Sequence, residues 1–134
     1  MIKWTPDQQK AIDGRNGTML VSAAAGSGKT AVLVERVIQR ICDKNNPCSI
    51  ENLLIVTFTK AAAAQMKEKI TEKLEEVVRN NPNDKFIRRQ KLMIPYSKIC
   101  TIDSFCINLV RENFQELEIS PDFSILDSGK IKIL

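Results

Sequence analysis

Histidine is absent from the 134 residues, which excludes imidazole general bases, serine or cysteine triads and histidine-ligated zinc. Long apolar runs are absent as well: none approaches the roughly 18 residues that cross a bilayer, and Met1-Ile2-Lys3-Trp4 does not open like a signal peptide, so a cytoplasmic protein is expected. Glycine and proline are scarce, five of each, which leaves no room for collagenous or low-complexity structure. The four cysteines, Cys42, Cys48, Cys100 and Cys106, form two pairs with five intervening residues each, wider than the Cys-x-x-Cys knuckles of structural zinc. Buried free thiols in a reducing compartment are therefore expected in preference to a metal centre. Finally, no apolar run ends in paired carboxylates: Glu75-Glu76 falls mid-helix and Asp103 is followed by Ser104.

What is present is an ordinary globular composition, 43% hydrophobic and 27% charged, at one domain's length with a net charge of +4. The excess charge is local. Residues 60–91 hold nine basic and five acidic side chains, and the rest of the chain balances. Such a segment suits a nucleic-acid phosphate path or a solvated helix face.

Thr5 before Pro6 marks a helix start, and Asp13-Gly14-Arg15-Asn16-Gly17 a turn. Residues 18–22 are short, apolar and β-branched, a candidate buried strand, and the spacing of Val32, Leu33, Val34, Val37, Ile38 and Ile41 predicts a helix over 30–42. Residues 53–57 read as a strand covered on both faces. A long helix over 61–78 with Met66, Ile70, Leu74 and Val77 on one stripe follows, then a short basic helix over 84–93. Residues 99–102 read as a third strand. A helix over 104–117 would turn Phe105, Leu109, Phe114 and Leu117 to the core, and residues 122–127 would form an edge strand. Alternating strands and helices imply an α/β fold with a parallel sheet. Residues 128–134 carry no terminal signature and read as a truncation.

Between the first strand and its helix stands Ala23-Ala24-Ala25-Gly26-Ser27-Gly28-Lys29-Thr30, the context a Walker A phosphate loop requires. Glycines at 26 and 28 let backbone N–H groups approach phosphate oxygens, and the following helix supplies its positive end. Lys29 would reach the β and γ phosphates of ATP, and the Thr30 hydroxyl would ligate Mg²⁺. Ala23 stands where the general pattern has glycine. Lacking a strand-end acid, these residues are expected to bind nucleotide without hydrolysing it.

Three segments together resemble the amino-terminal part of superfamily 1 DNA helicases of the UvrD type. They are Trp4-Thr5-Pro6-Asp7-Gln8-Gln9-Lys10-Ala11-Ile12, similar to the Q motif with its glutamine at Gln8; the phosphate loop, where these helicases commonly begin with alanine; and Thr57-Phe58-Thr59-Lys60 with Thr101-Ile102-Asp103-Ser104-Phe105-Cys106, similar to the two single-stranded-DNA contact motifs. Within that family the loop and the residues after it are most like the AddA-type helicase/nuclease branch. The resemblance implies a P-loop NTPase (RecA-like) parallel sheet with flanking helices, an incomplete first motor domain spanning residues 1–134 with no second domain. It implies adenine reading by Gln8, ATP and Mg²⁺ at residues 23–30, and DNA contacts at Phe58, Thr59, Lys60, Thr101, Ser104 and Phe105. Asp103, where relatives often carry histidine, would repel a phosphate. The parent activity implied, beside an AddB-type partner, is ATP-driven 3′-to-5′ translocation on DNA in double-strand-break repair. A UvrD-type helicase without nuclease, a small phosphotransferase and a nucleotide-gated DNA-binding module stay open as alternatives.

Overall fold

The computed structural model describes residues 3–24 and 26–125. They fall into two compact units, divided between Thr101 and Ile102.

In the first unit, α1 (Pro6–Asp13) starts at a capping box: the Gln8 N–H donates to Thr5 Oγ1 while the Thr5 N–H donates back to Gln8 Oε1. This reciprocal pairing satisfies two donors that a helix start otherwise leaves open. Next come α2 (Lys29–Ile41), a 3₁₀ turn at Ile50–Asn52, and β1 (Leu54–Thr57). The long helix α3 (Lys60–Asn80), the short α4 (Lys85–Met93) and a 3₁₀ turn at Ile94–Tyr96 lead to β2 (Lys98–Thr101). β1 and β2 pair in parallel, with Leu54 opposite Lys98 and Thr57 opposite Thr101. Parallel neighbours need a long crossover, and α3 with α4 supplies it.

The core lies between the helices and one face of this sheet. Val34, Val37, Ile38 and Ile41 from α2 meet Met66, Ile70 and Leu74 from α3, with Ile87 of α4, Ile55 of β1 and Ile99 of β2. The α3 positions recur at helical spacing, so one stripe is buried and the lysines and glutamates stay outside. Gln90 is buried too, its Oε1 accepting from the Ile50 N–H at 2.8 Å and from Ser49 Oγ at 3.1 Å. A smaller cluster of Ala11, Ile12 and Val32, backed by Trp4, joins α1 to α2.

Several expectations are corrected. Residues 18–22 are exposed and form no strand. A strand exists only through its ladder, and among the described residues the sheet has two strands, which use each other. β1 is covered on one face only: Ile55 is buried, whereas Leu54 and Val56 are 48% and 43% exposed. The helices that form the core all pack on the Ile55–Ile99 side.

The second unit contains α5 (Ile102–Glu112), which begins two residues earlier than expected and has no buried residue. Leu109 and Leu117 are exposed, and Phe105 and Phe114 half-buried, so the expected core stripe is not closed; a unit of one short helix and turns has too little chain to surround it. Arg111 stands over the Phe123 ring at 5.6 Å. Residues 122–125 form no strand, and the remainder of that expected edge strand lies outside the described residues. The cysteines are free, with Cys42, Cys48 and Cys100 half-buried but Cys106 exposed. Among the described residues no helix is long and apolar enough to cross a membrane.

Candidate functional site

The phosphate loop turns on two glycines in the left-handed region, Gly26 and Gly28, both at φ 79°. A side chain at either position would be strained. Gly28 is also the N-cap of α2, and no side chain caps that helix. The first N–H groups of α2 thus point out of the helix end together with its positive dipole. The Lys29 ammonium lies against the loop, donating to the carbonyl oxygens of Ala23 at 2.6 Å and Ala24 at 2.8 Å. Thr30 follows as the second residue of α2 and is half-buried. Ala25 lies outside the described residues.

Gln8 reaches this loop from α1, its Nε2 donating to the Ser27 carbonyl at 3.2 Å. A Cβ on Gly28 would stand 3.5 Å from the same Nε2, an ordinary contact, so the demand for glycine there comes from its positive φ. Gln8, Ser22, Ala23, Ser27, Lys29 and Val32 line a cavity of about 380 Å³. Ser27 Oγ is buried without a hydrogen-bond partner, an arrangement that costs stability unless a ligand supplies the missing bond. A buried orphan hydroxyl, an uncapped helix end and a lysine on the loop fit a nucleoside triphosphate better than any uncharged ligand.

The expected DNA residues take two places. Phe58, 90% exposed, follows β1. Thr59 caps α3 by accepting from the Ala62 N–H at 3.1 Å, and Thr57 Oγ1 donates to the Thr59 carbonyl at 2.9 Å. Lys60 opens α3 and is exposed. Thr101 is buried at the end of β2, in register with Thr57. The sheet therefore sets the starts of the two motifs side by side at the carboxyl ends of neighbouring strands, where α/β sheets place ligands. Ser104 and Phe105 belong to α5 in the second unit, both half-buried.

Three of the nine basic side chains in residues 60–91 are ion-paired. Lys91 meets Glu75 and Lys73 meets Glu76, each at 2.9 Å, while Arg89 stands 3.8 Å from Glu51. The hydrogen bond and charge of Lys91 lower the Glu75 pKa, and Lys73 does the same for Glu76. Trp4 packs on the Ala11, Ile12 and Val32 cluster. Sequence reading missed the capping box, although Thr5-x-x-Gln8 is its signature. It also missed Arg36, whose guanidinium donates to the Ala11 carbonyl at 2.6 Å across 25 residues; no local signal marks such a contact.

A glycine loop that opens a helix beside a parallel sheet defines a P-loop α/β domain. The UvrD/REP helicase N-terminal domain matches residues 4–134, and the chain belongs to that family. It is 48% identical over 98% of its length to the ATP-dependent helicase/nuclease protein AddA of Lachnoclostridium phytofermentans, and equally so to the AddA proteins of Moorella thermoacetica and Clostridium acetobutylicum. It spans about a tenth of the length of these relatives.

Proposed function

We propose that this chain is the nucleotide-binding start of an AddA-like DNA helicase/nuclease, which acts in cytoplasmic double-strand-break repair with an AddB-type partner. One observation carries the reading: Gly26 and Gly28 in the left-handed region lead into an uncapped α2 that begins at Lys29. Kinship rests on sequence similarity; this geometry is what supports a phosphate-bearing ligand. Backbone N–H groups at the start of α2 would take phosphate oxygens, Lys29 would leave the loop carbonyls for the β and γ phosphates, and the Thr30 hydroxyl would hold Mg²⁺. The magnesium neutralises charge on the phosphates when bound.

Gln8 supports the base. Its amide uses one N–H on Ser27 and one lone pair on Thr5, which leaves one donor and one acceptor. That pair matches the donor and acceptor edge of adenine. Phe58, Thr59 and Lys60, beside Thr101, would meet single-stranded DNA, the ring by stacking and the lysine by charge; for Ser104 and Phe105, in the second unit, a DNA role rests on the resemblance of their motif alone.

Calorimetric titration with Mg-ATP tests the reading. Saturable heat in the wild type, lost by about 100-fold or more in affinity in Lys29→Ala, is expected from removing a charge-assisted contact to phosphate. Equal affinity in the two proteins would overturn it.

A further inference from the structure

The carboxyl end of α1 is held by two arginines. Arg36 Nη1, from α2, donates to the carbonyls of Ala11 at 2.6 Å and Ile12 at 3.4 Å. Arg15 Nη1 donates to those of Ile12 at 2.8 Å, Asp13 at 2.9 Å and Gly14 at 3.5 Å. The Gly14 N–H closes on Lys10, so every carbonyl that the helix end would leave open has a donor. Arg15 belongs to the turn that follows α1 and is bound 3.8 Å from Asp43. Arg36 alone of the two sits on the helix that the phosphate loop opens.

The other end of the same short helix carries Gln8 to Ser27. α1 is eight residues long, about 12 Å. It is pinned to α2 at its carboxyl end by Arg36 on the Ala11 and Ile12 carbonyls and by those residues' side chains on Val32, and by Gln8 at the loop. A guanidinium on carbonyls at the negative end of a helix is favourable both as a hydrogen bond and as a charge. A single nitrogen, Nη1, reaches two successive carbonyls, closely at Ala11 and at 3.4 Å at Ile12, which restrains rotation of α1 about its axis as well as its height along α2.

We propose that Arg36 is a positioning residue for Gln8: by fixing α1 on α2, it aims the Gln8 amide at the base of the bound nucleotide and so sets base selectivity without touching the ligand. The proposal rests on the reading of Gln8 given above. Without the guanidinium, α1 keeps its capping box and its apolar contacts but can rotate, and the spare donor and acceptor of Gln8 no longer meet a base edge together. Phosphate binding, which belongs to residues 26–30, is left intact.

The experiment compares Mg-ATP with magnesium inorganic tripolyphosphate, which has the phosphates but no base, in calorimetric titrations of the full chain. Gln8→Ala lowers the preference for ATP about tenfold, the worth of a hydrogen-bonded contact. Arg36→Ala lowers it to a similar degree while tripolyphosphate affinity stays within about twofold of wild type; a merely structural arginine would weaken both ligands together. Arg36→Lys keeps the charge but replaces the planar guanidinium with a compact ammonium, and restores part of the preference. Should Arg36→Ala not fold, Arg36→Lys is read by nuclear magnetic resonance, where the Gln8 side-chain amide signals move from their wild-type positions. Wild-type preference in Arg36→Ala with lost preference in Gln8→Ala overturns the proposal alone, as do unmoved Gln8 signals in Arg36→Lys. Wild-type preference in Gln8→Ala overturns the base reading and the proposal with it.

Discussion

Two corners of this molecule lead into helices of the same core, yet they treat the helix start in opposite ways. At the α3 corner, Thr59 caps the helix through its own hydroxyl and Thr57 braces the turn, so the backbone donors are met from within and the exposed group is an aromatic ring, Phe58. At the α2 corner nothing caps the helix, two left-handed glycines hold the loop open, and a lysine and a buried orphan hydroxyl face the same space. A capped helix end has little left to give an anion, whereas an uncapped one with a lysine beside it is an anion site. On the function proposed above, the ligand class at each corner would follow from how the helix start is satisfied: phosphate at α2, a stacking base at α3.

The comparison can be broken at its shared support or sharpened at either corner. Leu74→Ala, in the core that carries both helices, is expected to lower stability by about 2–5 kcal/mol, read as one earlier transition on thermal unfolding. Phe58→Ala removes a side chain that is almost wholly exposed; single-stranded DNA affinity should fall by about 1–3 kcal/mol with no change in Mg-ATP binding, measured by fluorescence anisotropy at fixed salt. Gly26→Ala puts a Cβ at φ 79°, a cost of about 1–2 kcal/mol, which should lower the melting temperature by several degrees or, where the loop escapes the strain by leaving the left-handed region, Mg-ATP affinity by about tenfold. Thr59→Ala removes the α3 cap for about 1 kcal/mol of stability and should leave Mg-ATP affinity alone.

The smallest effect concerns pH. Asp43 accepts from the N–H groups of Asn45 and Asn46, which lower its pKa, and Arg15 and Arg40 add to this. A carboxylate whose pKa is lower folded than unfolded stabilises at pH values above the unfolded pKa, and the contribution is lost as pH falls through the folded one. Stability should therefore be insensitive to this group near neutrality and decline below the ordinary carboxylate range, and Asp43→Asn should flatten that decline in acid melts.

Much of this was legible in the residues. The stripe of Met66, Ile70 and Leu74 is a local periodicity, and it is buried as expected. The loop was legible because Gly-x-Gly-Lys-Thr is a local demand on backbone and charge. What the residues hid was non-local. Residues 18–22 have the composition of a strand, but composition does not supply a neighbour to bond with. Leu54 and Val56 look like core, but their burial depends on what covers the second face of the sheet. The apolar stripe of α5 has no cover within its own unit. Arg36 is an ordinary surface arginine in sequence, and its role exists only because α1 folds back beside α2.

The most direct test of the two-corner account is an amide nuclear magnetic resonance titration of the full chain with Mg-ATP. The account predicts saturable shifts of the backbone N–H signals of Gly26, Gly28, Lys29, Thr30 and Ala31, with those of Ala61, Ala62 and Ala63 unmoved. Unmoved signals at the start of α2, or equal shifts at the starts of α2 and α3, would contradict it.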